Sequence, residues 1–256
     1  MSPFNGDVSP QIFLGAALIG MAVGFLSGAF GKGGSAVATP LLHLLGVPAI
    51  VAIASPLPAT IPSSLLAGRV YAGAGNVDRR VVRIGLPGGL LLTVAGAVLT
   101  RWVPGGPLVI VTDLLVLACA VRILTTRHAV AAEGDEDATA FKILAVVGAV
   151  GFVSGLLGNS GGFLLAPLFM SVLGLPVHRA LGTSLVLATC LAVPGTLVHA
   201  WLGHIDWSLT LAFGLASVPA ASAGARLALR THSQRLALAY GAGLATLAGG
   251  LLAFAH

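Results

Sequence analysis

Two glycine-rich stretches hold the residues of this 256-residue chain best suited to meet a ligand: Gly31-Lys32-Gly33-Gly34-Ser35 and Gly158-Asn159-Ser160-Gly161-Gly162. Each precedes a short apolar run that reads as a helix. A helix N-terminus presents unpaired N–H groups and about half a positive charge, which suits an anion. Glycine lets the backbone approach such a ligand closely. Two ends of this kind would form a cup for a small oxyanion, with Ser35, Asn159 and Ser160 as side-chain donors. The competing reading is that the glycines only allow a turn and tight packing. Lys32 favours the ligand reading. It is the only lysine of the first half and sits in the break, where a charge among apolar segments is tolerated mainly facing a cavity or partner. Its alternative is to snorkel toward polar surroundings. Its counterpart, Asn159, is uncharged.

Other polar residues within apolar runs rank lower. Asp113 could pair with Lys32, Arg69 or Arg122, or carry a coupled proton; structural pairing is the favoured role. Arg69 lies near a segment end and reads as snorkelling. His43 and His199 are read first as packing residues, with His199 kept as a second coupling candidate. Thr183 and Ser184 could supply hydroxyls to a ligand; their counterparts are Ser55 and Pro56. Cys119 and Cys190 lie in apolar segments and read as buried small hydrophobes. No catalytic set, metal site or cofactor is expected.

The elements that position these residues follow from composition. Hydrophobic residues make up 57% of the chain and charged residues only 8%. A soluble fold usually has about a quarter charged residues and under half apolar ones. The run from Val8 to Phe30 carries no charge, and similar runs recur to the C-terminus. With roughly 20 apolar residues per crossing, about eight to ten segments fit. Backbone groups cannot stay unpaired in lipid, so the spans are helices or a closed barrel, and barrel-like short alternating strands are absent. The fold class is therefore an all-α integral membrane bundle, multi-pass in the cell (plasma or inner) membrane. The N-terminus lacks the basic start of a secretory signal, so the first apolar segment reads as a real span. A net charge of +5 without an aromatic-interleaved basic patch argues against nucleic acid; membrane lipid is the expected surrounding.

Sliding the chain against itself reveals a duplication. Gly24 to Gly34 aligns with Gly151 to Gly161, and Pro40-Leu41 with Pro167-Leu168. One inserted residue later, Leu45-Gly46-Val47-Pro48 matches Leu173-Gly174-Leu175-Pro176, Gly75-Asn76-Val77-Asp78 matches Gly203-His204-Ile205-Asp206, and Ala95-Gly96-Ala97 matches Ala223-Gly224-Ala225. Residues 1–125 form one repeat, 126–139 a polar linker, and 140–256 the second repeat. Apolar segments fall at about 11–30, 34–46, 48–74, 81–101 and 106–125, and at about 140–158, 161–174, 176–202, 206–229 and 235–255. The second of each set is too short to cross alone, about 21 Å at 1.5 Å per residue. Pro56, Pro58 and Pro62 interrupt the third segment and Pro194 its counterpart. Arg79, Arg80 and Arg83 place one loop inside, and Arg226, Arg230 and Arg235 place a non-equivalent loop inside. That pattern makes the halves inverted repeats of five segments, with both termini outside. Re-entrant short segments would instead give eight crossings and parallel repeats.

On Gly24 to Pro40, Gly151 to Pro167 and the Ala180-Leu181-Gly182-Thr183-Ser184-Leu185 run, within a duplicated chain of this length, the sequence resembles the sulfite exporter TauE/SafE family of membrane permeases. The resemblance implies transport of sulfur-containing anions such as sulfite or organosulfonates, commonly outward. The chain departs from the pattern at Pro56, where duplication favours a hydroxyl, and at Lys32, where a glycine or small polar residue is ordinary.

Inverted repeats with paired broken helices are a recurrent architecture of secondary transporters. The expectation is a carrier rather than an enzyme, moving a small anion by alternating access, with a proton or sodium as coupling ion and the oligomeric state open. The rival from another class is an intramembrane serine protease using Ser160 and His199. A single-site protease gains nothing from duplication, and the repeat has Gly33 in place of Ser160. A carrier of another small anion is the nearer alternative.

Overall fold

A computed structural model describes residues 10–31, 35–103, 114, 139–158, 161–232, 235, 236, 239 and 242. Lys32, Gly33, Gly34, Asp113, Asn159 and Ser160 lie outside the described residues, as do most of both expected fifth segments and of the linker. The elements are α1 (Pro10–Ala29), α2 (Ser35–Leu44), α3 (Ala49–Ala54), α4 (Pro56–Gly73), α5 (Arg79–Leu99, ending in a 3-10 turn Thr100–Trp102), α6 (Ala140–Leu156), α7 (Gly162–Ser171), α8 (Val177–Trp201) and α9 (Trp207–Leu229). No strand occurs among the described residues. Among the described residues five stretches, Pro10–Ala29, Ala49–Gly73, Arg79–Trp102, Val177–Trp201 and Trp207–Leu229, are long and apolar enough to cross a membrane. The protein is an all-α, multi-pass membrane protein.

Local chemistry explains where the helices begin. Asp78 Oδ1 accepts from the N–H groups of Arg80 and Val81 at 2.9 and 3.0 Å, and Asp206 Oδ1 from that of Leu209 at 2.9 Å. Each satisfies orphan donors at a helix start, a contribution of about 1 kcal/mol. The prolines interrupt less than expected. Pro56 occupies the first position of α4, where no N–H is needed, and Ser55 before it is itself helical at φ −64°, ψ −31°. Ala49–Gly73 therefore follows one path, and Pro194 lies inside an unbroken α8. Packed neighbours in a membrane bundle tolerate such a missing bond. α2 and α7 have only 10 residues each, about 15 Å, shorter than the sequence suggested.

Packing joins each half to the other. α1 lies along α9, and α5 lies along α6, so the first helix of each repeat packs on the fourth of its partner. Gly20, Gly24 and Gly28 of α1 face Phe213, Ser217 and Ala221 of α9 in ascending register, so the two helices run parallel. Gly151 and Gly155 of α6 face Gly89 and Thr93 of α5 in the same sense. A Cβ on Gly24, Gly28 or Gly155 would run into the opposing backbone. Without a hydrophobic driving force between helices in lipid, this close contact is what holds the pair together.

α4 and α8 form the centre. Leu57 meets Gly195 and Tyr71 meets Gly182, so these corresponding helices run antiparallel. Their spans are 61% buried, against 33–39% for the other long spans. Outward faces of the peripheral helices, such as Leu18, Leu91 and Leu215, are exposed and apolar, as a lipid-facing surface requires. One end of the bundle gathers Arg69, Arg79, Arg80, Arg83, Lys142, Arg179, Arg226, Arg230 and Arg235. The other gathers the chain's three tryptophans, Trp102, Trp201 and Trp207, all exposed, with Arg101 stacked 4.7 Å over the Trp102 ring.

Candidate functional site

Gly31 and Gly158 end α1 and α6 with φ of +62° and +56°, a conformation that favours glycine. The positive-φ glycines pair across the repeat: Gly31 with Gly158, Gly46 with Gly174, Gly75 with Gly203. Gly161, at φ +67°, caps α7, and its carbonyl accepts from the N–H groups of Leu164 and Leu165 at 3.0 Å each. Its counterpart Gly34 lies outside the described residues.

The short helices start near mid-depth. Val37 and Ala38, in the first turn of α2, pack with Ala59, close to the midpoint of Ala49–Gly73. Leu164 and Leu165, in the first turn of α7, pack with Leu187 and Leu191, which flank the midpoint of α8. From there α2 leads to the tryptophan end, where Leu42 and Val47 meet Ala16 and Val51. α7 leads to the basic end, where Phe169 and Leu173 meet Val81 and Ala180. Both N-termini, starting with Ser35 and Gly162, therefore sit at mid-depth, and the two short helices touch.

Thr183 and Ser184 are fully buried and engaged within the protein. Thr183 Oγ1 donates to Arg179 O at 2.6 Å and accepts from the Asp78 N–H at 2.8 Å. Ser184 Oγ lies 3.0 Å from Gly31 O and 2.8 Å from Leu181 O, so its hydroxyl ties the first break to α8. Across the repeat, Ser55 Oγ accepts from the Asp206 N–H at 3.0 Å, as Thr183 does from Asp78. Pro56, standing where Ser184 does, has no hydroxyl for Gly158; there Ile53 lies nearest the glycine. The two breaks are therefore held differently.

His199 is buried on α8. Its Nε2 lies 3.3 Å from Gly155 O and its Nδ1 3.1 Å from His204 Nδ1. A carbonyl can only accept, so Nε2 carries the proton, and in the neutral ring Nδ1 accepts from His204 Nδ1–H. Tyr71 holds the equivalent place in the first half, with its hydroxyl 3.4 Å from Gly28 O and 3.3 Å from Ala29 O. In each half a ring on the third span thus donates to the last turn of the first helix, just before the break. Sequence reasoning missed Tyr71, although it stands five residues before Asn76 as His199 stands before His204. It also missed Thr196, whose Oγ1 is the one buried side-chain polar atom without a partner among the described residues. No group of three or more metal-ligating side chains occurs among the described residues. His43, exposed near the end of α2, hydrogen-bonds Val47 O at 3.0 Å.

A family profile described as Sulfite exporter TauE/SafE matches residues 16–251. A "Probable membrane transporter protein" of Xylella fastidiosa (strain 9a5c) is 29% identical over 225 residues, covering 84% of this chain and 85% of the relative. A protein of the same description from Haemophilus influenzae is 26% identical over 191 residues, covering 70% of each chain. The "Probable membrane transporter protein YunE" of Bacillus subtilis is 33% identical over 84 residues, covering 33% of this chain and 29% of the relative. No solved structure matches the chain.

Proposed function

This chain belongs to the sulfite exporter TauE/SafE family, and on that premise we propose that it is a secondary carrier, not an enzyme, exporting a small sulfur-containing anion of the sulfite or organosulfonate type across the cell membrane. The observation that carries the reading is the pair of short helices whose N-termini start at mid-depth from opposite ends, supported by the family membership. An anion there meets two sets of unpaired N–H groups and two positive dipole ends. Gly31 to Ser35 and Asn159 to Gly162 line the site, and Lys32 supplies the counter-charge. The hydroxyls of Thr183 and Ser184 act as supports of the site rather than as its walls in this state, given the bonds they already make.

Alternating access follows from treating the halves as inverted repeats, a reading supported by the antiparallel course of α4 and α8. The basic end faces the cytoplasm by the positive-inside rule. Asp113 and His199 are the candidates for a coupled proton. The test is uptake of labelled sulfite into proteoliposomes, with and without an imposed proton gradient, for wild type and Lys32→Ala. Saturable uptake that is lost in a still-folded Lys32→Ala protein is expected. Normal flux in that variant removes Lys32 from the mechanism, and no uptake above empty liposomes rejects sulfite and directs the assay to sulfonates.

A further inference from the structure

A second cationic feature lies at the basic end. A cavity of about 540 Å³ opens there between the start of α8 and the chain leaving α9, lined by His178, Leu229, Arg230, Thr231, His232 and Arg235. Its volume is within the roughly 300–1,000 Å³ of small-ligand sites. None of the lining residues is acidic. His178 is fixed across the gap by its Nε2, 3.1 Å from Ala228 O.

Two ordinary reasons favour cations at this place: arginine at a helix C-terminus complements the dipole, and cytoplasmic loops collect positive charge. Neither requires them to converge on a cavity. Arg226 meets both reasons on the same helix, is exposed, and does not line the cavity. Nor does the duplicated architecture demand the set. The equivalents of His178, Leu229, Arg230 and Thr231 in the first half are Ile50, Arg101, Trp102 and Val103, so the imidazole and the hydroxyl belong to the second half alone. Two guanidinium forks and the exposed His232 imidazole suit a tetrahedral oxyanion with several acceptor atoms, which arginine binds through paired N–H donors, while the Thr231 hydroxyl donates to Leu227 O at 2.9 Å. Exposed Leu227 beside this rim offers an apolar surface at the depth where a lipid headgroup meets its chains.

We propose that this cavity is a binding site for a phosphate-bearing ligand, either the headgroup of an anionic lipid or a soluble phosphate ester, separate from the anion site at mid-depth. The inference does not rest on the transport reading.

Thermal unfolding of the detergent-purified full chain tests it. The probes are dioctanoyl phosphatidylglycerol, glycerol 1-phosphate and, as the zwitterionic reference, dioctanoyl phosphatidylcholine. A saturable rise in melting temperature with either the phosphate monoester or the anionic lipid, and none with phosphatidylcholine, is expected for wild type and for Arg226→Gln. Arg230→Gln/Arg235→Gln is expected to weaken apparent affinity by about tenfold or more, the effect of about 1.4 kcal/mol. A response to the lipid alone assigns the headgroup, and a response to glycerol 1-phosphate assigns the soluble ester. No rise in wild type, or an equal loss in Arg226→Gln, overturns the site. His178→Asn, which leaves every arginine in place, must also weaken the response; an unchanged response in that variant likewise overturns it.

Discussion

At the residue scale, equivalent positions do related work with different chemistry. Tyr71 and His199 both hold the last turn before a break, yet only the histidine adds a second bond, to His204. Tyr71→Phe removes a weak pair of contacts and should cost about 1 kcal/mol or less by thermal unfolding, with the ring's packing retained. Thr196 is the opposite case. Its buried hydroxyl has no partner, so Thr196→Val, of nearly the same shape, should leave stability unchanged or raise it by about 1 kcal/mol. A clear loss of stability in that variant would mean that the hydroxyl has a partner. Reduced transport with intact stability would instead assign Thr196 to the substrate path. His204, in the loop after α8, has its pKa lowered by partial burial. Its folded form resists protonation, so its contribution is whole above the ordinary histidine value near 6.5 and is lost as pH falls toward the lowered value. Replacing it with the residue of the other half, His204→Asn, should therefore reduce the loss of stability between about pH 6.5 and more acidic conditions. An unchanged pH profile would exclude that role.

At the element scale, the helix pairs rest on glycine. α1 against α9 and α5 against α6 are close because Gly24, Gly28, Gly151 and Gly155 leave room for the neighbouring backbone. Gly24→Leu cannot be absorbed by moving a flexible side chain, since the nearest atoms are the backbone of Ser217. This variant should fail to give monodisperse protein on size-exclusion chromatography. Gly203→Ala meets no neighbour and bears only the strain of φ +72°, so it should fold with a loss of about 1 kcal/mol. Equal behaviour of the two would contradict close packing as the basis of the pair. The short helices were legible because each begins at a glycine break and ends at the Leu-Gly-x-Pro turn. Their exact ends were not. The one-residue insertion falls at the close of α7, where Leu175 N–H reaches back to Phe169 O while Val47 N–H reaches only to Leu42 O.

At the scale of the whole molecule, the separation of arginine from tryptophan defines two surfaces. In a background lacking Cys119 and Cys190, Trp207→Cys should react with an impermeant thiol reagent added outside intact cells, and Arg230→Cys only after permeabilisation. Labelling of both from one side would refute the opposition of the two ends. The interlocked pairing also predicts that residues 1–125 and 140–256, expressed as separate chains, are unstable alone and recover together, because α1 and α6 each find their partner helix in the other half. Stable, monodisperse single halves would argue against that dependence.

The amino-acid sequence by itself determined the solvent and the plan: too few charges for a soluble surface, and matched motifs at a nearly constant offset that mark two copies of one unit. Glycine and proline spacing located the breaks, because these residues act on the local backbone whatever surrounds them. Only the tertiary structure decided which helix lies on which. It paired α1 with α9 and α5 with α6 across the repeats, brought both short-helix N-termini to mid-depth, and engaged Thr183 and Ser184 with Asp78 and Gly31 rather than leaving them free. Such contacts join residues far apart in the chain, and in an apolar chain nearly every helix face could pack on any other. The choice rests on where small residues let two backbones meet and where a buried hydroxyl finds an N–H or carbonyl, and both are properties of paired surfaces rather than of a single stretch of chain.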